Sequence, residues 1–178
     1  MRTDIVFTLT GPDRVGIVEE VTGVLLGLDG NVETSRMARL GGEFAIIMQA
    51  SLPDDFVDSV DEAFKHLTDR GYKVTVGRAA QTYADSHLEW CSYRISVEGA
   101  DHEGIVHEVA QRLAALGISI ESMETATVSA PVSGAVLFTM TALIVVPPEL
   151  AEHEWIGALE EAGHQSSVEV TVQRVECP

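Results

Sequence analysis

The chain repeats itself. Gly11-Pro12-Asp13-Arg14-Val15-Gly16-Ile17-Val18 returns as Gly99-Ala100-Asp101-His102-Glu103-Gly104-Ile105-Val106, a shift of 88 residues. The same shift lays Glu20-Val21 on Glu108-Val109, Leu25 on Leu113, Leu28 on Leu116 and Val32-Glu33 on Ile120-Glu121. Beyond that point the offset becomes 94, pairing Phe44 with Phe138 and Pro53 with Pro147. A repeat that carries the same turn and the same apolar stripe into both halves predicts two versions of one small module, with related sites. In a chain of 178 residues each module takes about 80–90 residues, an ordinary size for a small domain. The expected boundaries are residues 1–78 and 91–178, separated by a polar linker over 79–90 with no core period. Small modules bury a limited fraction of their surface, so packing of one on the other is expected, with the Gly11–Gly16 turn near the seam. A linker of this length leaves edge-joined and face-to-face packing both open.

Periodicity orders each module. Ile5, Phe7 and Leu9 alternate with Val6, Thr8 and Thr10, which predicts a strand with one buried face. After the turn at Gly11-Pro12-Asp13, Ile17, Val21, Val24, Leu25 and Leu28 form one helical stripe. Val32 to Leu40 and Phe44 to Leu52 read as two strands joined by Gly41-Gly42, a strong two-residue hairpin signal. Phe56, Val57, Val60, Ala63, Phe64 and Leu67 predict one further helix, stopped by Gly71, and Val74 with Val76 a closing strand. The second half repeats this βαββαβ order, with extra residues at Ser129–Gly134 lengthening its hairpin. Right-handed crossovers applied to that order give an α+β fold: two tandem ferredoxin-like modules, each an antiparallel four-stranded sheet with its helices on one face. On the opposite face Ser92, Arg94 and Ser96 are polar, but Met37, Ile47, Met123, Leu137 and Leu143 fall there or at its margins. That mixture predicts partial cover by another module, and open sheet edges predict a homodimer.

Charge and residue inventory narrow the function. With 28 acids against 11 Lys and Arg the net charge is −17, which repels a phosphate backbone, and no basic cluster reaches four residues; no direct nucleic-acid binding is expected. No apolar run approaches the roughly 20 residues that span a bilayer, so no membrane partner is expected. The segment Met1-Arg2-Thr3-Asp4-Ile5 enters a strand pattern with no signal-peptide core, and a cytoplasmic address is expected. The six histidines show no metal-ligand spacing, no Gly-x-Ser-x-Gly elbow or phosphate loop occurs, and no metal, cofactor or catalytic residue is expected. Glu19-Glu20 and Glu160-Glu161 read as solvated helix faces. Cys91 shares the inward parity of Tyr93 while Cys177 is out of phase with Val168, Val170 and Val172, so no disulfide is expected.

What remains is the repeated turn. In both halves a strand ends in Gly-x-Asp, the chain turns, and a helix is expected to start with a glycine, Gly16 or Gly104, in its first turn, so free backbone N–H groups and the positive helix end face the turn and suit a carboxylate. Gly16 and Gly104 fit a close ligand or a close approach of the helix to its own sheet. Asp13 and Asp101 read as helix N-caps, or as partners of an ammonium group. Asn31 reads as a turn residue, or as a hydrogen-bonding group for a ligand.

Gly11 to Val18, followed about 15 residues later by Asn31-Val32, resembles the opening of an ACT domain, a small ligand-sensing module that mostly recognises amino acids. The resemblance spans nearly the whole chain outside the linker, and its tandem form is similar to the glycine cleavage system transcriptional repressor group. It implies a site at a domain–domain interface lined by Asp13, Arg14, Val15, Gly16, Ile17 and Asn31. In the second module it implies Asp101, His102, Glu103, Gly104 and Ile105. There Ala100 stands for Pro12 and Ser119 for Asn31, a departure that sets the second site apart. The implied function is a non-enzymatic sensor of glycine or a similar small amino acid, acting through a protein partner such as a transcription regulator. The alternative is a regulatory or structural subunit of a metabolic enzyme that binds no small molecule. Acylphosphatase-like hydrolysis on the same fold would need a Gly-x-Val-x-Gly-Val-x-Phe-Arg loop, which the chain lacks.

Overall fold

The computed structural model describes residues 1–80, 89–129 and 135–177. Residues 81–88 of the linker expected over 79–90, and residues 130–134 of the longer hairpin connection expected at Ser129–Gly134, lie outside the described residues. The chain divides into two compact units, Met1–Gln81 and Thr82–Pro178.

In the first unit, β1 (Arg2–Pro12), α1 (Ile17–Gly27), β2 (Asn31–Leu40), β3 (Glu43–Pro53), three short helices α2 (Asp54–Val57), α3 (Val60–Ala63) and α4 (Lys65–Asp69), and β4 (Lys73–Arg78) follow in order. The sheet runs β2-β3-β1-β4 and every pairing is antiparallel. The alternation read from sequence sets its core: Ile5, Phe7 and Leu9 of β1 and Ile46, Met48, Ala50 and Leu52 of β3 are buried with Ile17, Val21, Leu25, Val60 and Leu67 from the helices and Phe64 from the junction of α3 and α4. Gly41 and Gly42 both have positive φ, 58° and 89°, the backbone a two-residue hairpin turn demands. The single helix expected from Phe56 to Leu67 is instead three turns. At the first break the Ser59 hydroxyl donates to the carbonyl of Phe56, a local bond that competes with continuous helix.

The second unit repeats the plan with β5 (Cys91–Ala100), α5 (Ile105–Ala115), β6 (Ser119–Ser129), β7 (Val136–Val146), α6 (Glu152–Gln165) and β8 (Val168–Glu176). Its sheet runs β6-β7-β5-β8, and Tyr93, Ile95, Val97, Ile105, Val109, Leu113, Met140, Ile144, Trp155 and Leu159 belong to its core.

Three register shifts overturn parity expectations. The β2–β3 pairing slips between Val32 and Thr34 and the β6–β7 pairing between Ile120 and Ser122. One extra residue moves every later side chain to the other face. Met37 therefore lies opposite inward-facing Ile46, and Met123 opposite buried Ala142, so both leave the outer face on which they were expected and Met123 packs against the second core. Ile47 stays outside and exposed. The third shift falls in β5–β8, where Tyr93 faces Arg174 but Ser92 faces Glu176. It brings Cys177 into phase with Cys91, and the two form a disulfide with Cα atoms 4.4 Å apart, within the range such bridges span. The sequence expectation of unpaired cysteines fails because parity was extrapolated through a bulge.

Candidate functional site

β1 delivers the repeated turn to the hairpin end of its sheet. The Asp13 N–H donates to the carbonyl of Gly42 (2.9 Å), and in the second unit the Asp101 N–H donates to that of Val136 (3.1 Å). The chain then turns through Gly16 and Gly104, whose φ angles of 89° and 101° place both in the left-handed region. Each is the N-cap residue and not, as expected from sequence, a first-turn residue of the helix, because its positive φ is non-helical: Gly16 accepts from the Glu20 N–H and Gly104 from the Glu108 N–H, both at 3.0 Å. Neither glycine is explained by a close neighbour, since a Cβ would meet only Arg14 Nη1 at 3.9 Å or Glu108 Oε1 at 3.6 Å. Positive φ is the reason for glycine there. This also displaces Asp13 and Asp101 from the N-cap role. No side chain caps α1 or α5, so the first-turn N–H groups look for partners outside the helix.

Asp13, Arg14, Gly16, Ile17, Val18, Glu19, Thr22 and Phe44 line an open cleft of about 550 Å³ beside this turn. The Asp13 side chain keeps 29% of its surface and lies 3.5 Å from the guanidinium of exposed Arg39. Val15 is 99% exposed at the turn's tip, whereas Ile17 is buried in the core. Arg14 is tied sideways: its guanidinium pairs with Glu20, donates from Nε to the Tyr72 hydroxyl (3.0 Å), and sits 5.7 Å from the centre of that ring. The Tyr72 hydroxyl donates to the carbonyl of Pro12 (2.8 Å). Glu20 also takes Arg70 and His66, each at 3.1 Å. The Arg14 hydrogen bond is the main cause that holds the Glu20 carboxyl below its ordinary pKa, against the opposing cost of desolvation. Glu20 is thus no solvated face, unlike its exposed neighbour Glu19; Glu160 and Glu161 are exposed as expected.

Asn31 is elsewhere. It pairs with Ser51 on β3, and Ser51 pairs with Asp4 on β1. Asp13 lies nine residue steps along the chain from Asp4, which at strand rise is about 30 Å. The Asn31 amide donates to Glu33 (2.8 Å), which also accepts from Ser51 (3.0 Å). Within one module, then, Asp13 to Ile17 come together and Asn31 sits at the opposite end of the sheet.

The second module keeps the layout and changes the groups. His102 occupies the position of Arg14, with Nδ1 3.0 Å from the carbonyl of Glu103 and Nε2 2.6 Å from that of Ser166. The Ser166 hydroxyl in turn donates to Glu108. In both modules the residue after the repeated Asp thus ties the first turn to the segment before the last strand, and the glutamate of the first helix supports it. Asp101, Glu103 and Gly104 are exposed and Ile105 is buried. Sequence reading missed the role of Glu20, Glu108, Tyr72 and Ser166. The repeat had aligned Glu20 with Glu108, and that was the available signal.

Two carbonyl oxygens require two N–H donors, so this arrangement selects the imidazolium form of His102. The bonds to Glu103 and Ser166, in that order, raise its pKa above the ordinary value. The stability this clamp contributes is therefore complete below the ordinary histidine value of about 6.5 and is lost as pH rises through the raised value. An NMR titration of the His102 ring is expected to show a midpoint above that ordinary value. A midpoint at or below it would mean that one of the two carbonyl bonds is not made in solution.

Among the described residues no cluster of His, Cys, Asp and Glu could hold a metal ion, and no helix is long and apolar enough to cross a membrane.

Residues 3–74 match the family model of the ACT domain. The solved structure of an unknown protein from Galdieria sulphuraria is similar over 99% of this chain and 100% of that chain, with 33% sequence identity and a TM-score of 0.87. A proposed glycine cleavage system transcriptional repressor is similar in fold over 99% of each chain, with 20% identity and a TM-score of 0.69. No curated protein matches the chain.

Proposed function

We propose, from the match of residues 3–74 to the ACT domain family and the repetition of the same fold in the second module, that this chain is a non-catalytic regulatory protein that senses a small amino acid, glycine or one of similar size. One observation carries the reading: in the first module an uncapped helix N-terminus and an accessible carboxylate flank the same cleft. A zwitterion matches that pair, with its carboxylate on the N–H groups of the first turn of α1 and its ammonium on Asp13. Arg14 is engaged by Glu20 and Tyr72, so its role is to hold the turn in shape. Ligand occupancy is passed to a protein partner such as a transcription regulator, since the net charge of −17 disfavours direct contact with nucleic acid. We place the chain as a homodimer because β2 and β6 are open sheet edges with little buried surface; light scattering reads this directly.

Calorimetry of ligand-stripped protein against the twenty amino acids tests the proposal, and absence of heat with all of them would sink it. Where binding is found, Asp13→Ala is expected to weaken it by about tenfold or more, the loss of a charged hydrogen bond. Asp101→Ala is expected to have a smaller effect, because the second module carries Ala100 and Ser119 in place of Pro12 and Asn31. Neither aspartate caps a helix, so melting temperatures should stay close to that of the parent. Equal affinity losses in the two variants would contradict the asymmetry.

A further inference from the structure

The disulfide that the sequence pattern argued against has a built surrounding. Cys91 opens β5 and packs, half-buried, against the second core. Cys177 lies just past the end of β8 and is exposed. The guanidinium of Arg174 reaches both sulfurs, its Nη2 standing 2.9 Å from Cys177 Sγ and 3.5 Å from Cys91 Sγ. That guanidinium is held above the Tyr93 ring, 5.8 Å from its centre, and Tyr93 is buried. The extra residue between Arg174 and Glu176 in the β5–β8 pairing is what brings the two sulfurs together. A cation beside a sulfur favours thiolate over thiol, and the thiolate is the form that exchanges with disulfides.

We propose that Cys91 and Cys177 are a reversible dithiol–disulfide couple, in which Cys177 exchanges with low-molecular-weight disulfides of the glutathione class and Cys91 resolves the product. In the oxidising direction the Cys177 thiolate attacks one sulfur of the small disulfide. A mixed disulfide forms on Cys177 and one small thiolate leaves. The Cys91 thiolate then attacks Cys177 Sγ, closing the protein disulfide and releasing the second small thiolate. The two protons lost by the cysteines end on the two released thiols, and the two electrons lost by the protein reduce one small disulfide. Exposure assigns the roles: an incoming reagent reaches Cys177 first, while Cys91 is shielded by the core yet already opposite it. The couple fastens the end of β8 to the start of β5, so its state decides whether that end of the sheet is covalently closed. This reading is independent of amino-acid binding at the first-module turn.

The test equilibrates the full chain in buffers of varied reduced-to-oxidised glutathione ratio, alkylates free thiols and weighs the intact protein. The parent is expected to pass reversibly between two alkylated cysteines and none. Cys91→Ser should retain one glutathione on Cys177, whereas Cys177→Ser should acquire one at least about tenfold more slowly, as expected for the less accessible sulfur without the nearer guanidinium. Arg174→Gln should slow glutathione capture at Cys177 by about threefold or more. A disulfide that survives the most reducing buffer, thiols that never close, or equal capture rates in the two serine variants would each overturn the proposal.

Discussion

Replacing Trp155 with alanine is expected to remove about 3–5 kcal/mol from the stability of the second module, the usual cost of emptying a large aromatic site in a core. Trp155 is fully buried and packs edge-on against Tyr93, with ring centres 4.9 Å apart and planes at 75°. The two rings join α6 to β5 within the second core. The residues grouped around Trp155 all come from the second module, and those around Phe7 and Phe64 all come from the first. Amide hydrogen exchange should therefore accelerate across β5 to β8 and much less across β1 to β4. An equal acceleration in both sheets would contradict separate cores. Trp155→Phe is expected to cost less than the alanine variant. It keeps most of the apolar volume, and the indole N–H it removes finds no acceptor among the described residues, so no hydrogen bond is lost with it.

Gly99→Ala is expected to destabilise the second module by about 1–3 kcal/mol through overpacking, and to do so more than Gly11→Ala does in the first. A Cβ on Gly99 would stand 2.8 Å from the Ser167 carbonyl oxygen and 2.9 Å from Val168 Cα. These are backbone atoms at the start of β8, and moving them breaks the β5–β8 pairing that begins at Gly99 and Val168. A Cβ on Gly11 would instead meet the Tyr72 ring, at 2.5 Å from Cδ1. That ring can tilt, at the expense of its bonds to Pro12 and Arg14. Gly11→Ala should thus be milder in stability and should loosen the turn that holds Asp13. Chemical denaturation of the two variants measures the first difference and amino-acid calorimetry the second. A greater stability loss in Gly11→Ala would show that the backbone contact at Gly99 yields more easily than its geometry suggests.

The first glycine of each repeated turn is there for close approach of the last segment of its module, and the second for positive φ. Both requirements are met twice, 88 residues apart, so the duplication preserves a backbone path before it preserves any side chain. The groups laid on that path then diverge. Arg14 with Glu20 and Tyr72 becomes His102 with Glu108 and Ser166. The first cluster contains a guanidinium that is always charged, whereas the second depends on an imidazolium that is lost as pH rises. Two modules of one fold are thereby given different responses to the same solution.

Local pattern was enough for the βαββαβ order, the tight Gly41-Gly42 hairpin and the inward faces of β1, α1 and β3, because side-chain period and turn chemistry are properties of neighbouring residues. The repeat itself was enough for two modules and for marking Asp13 to Ile17 and Asp101 to Ile105 as corresponding segments. The rest depended on which distant segments pair, and in what register. Arg14 meets Tyr72 58 residues away and Arg70 meets Glu20 across 50, contacts set by the strand order β2-β3-β1-β4 and by nothing near Glu20 in sequence. The same order puts Asn31 at the far end of the sheet from Asp13. Three single-residue bulges then moved Met37, Met123 and Cys177 to faces that alternation denied them. A bulge is stabilised by the whole ladder on either side of it, and so leaves no mark on the few residues from which parity is read.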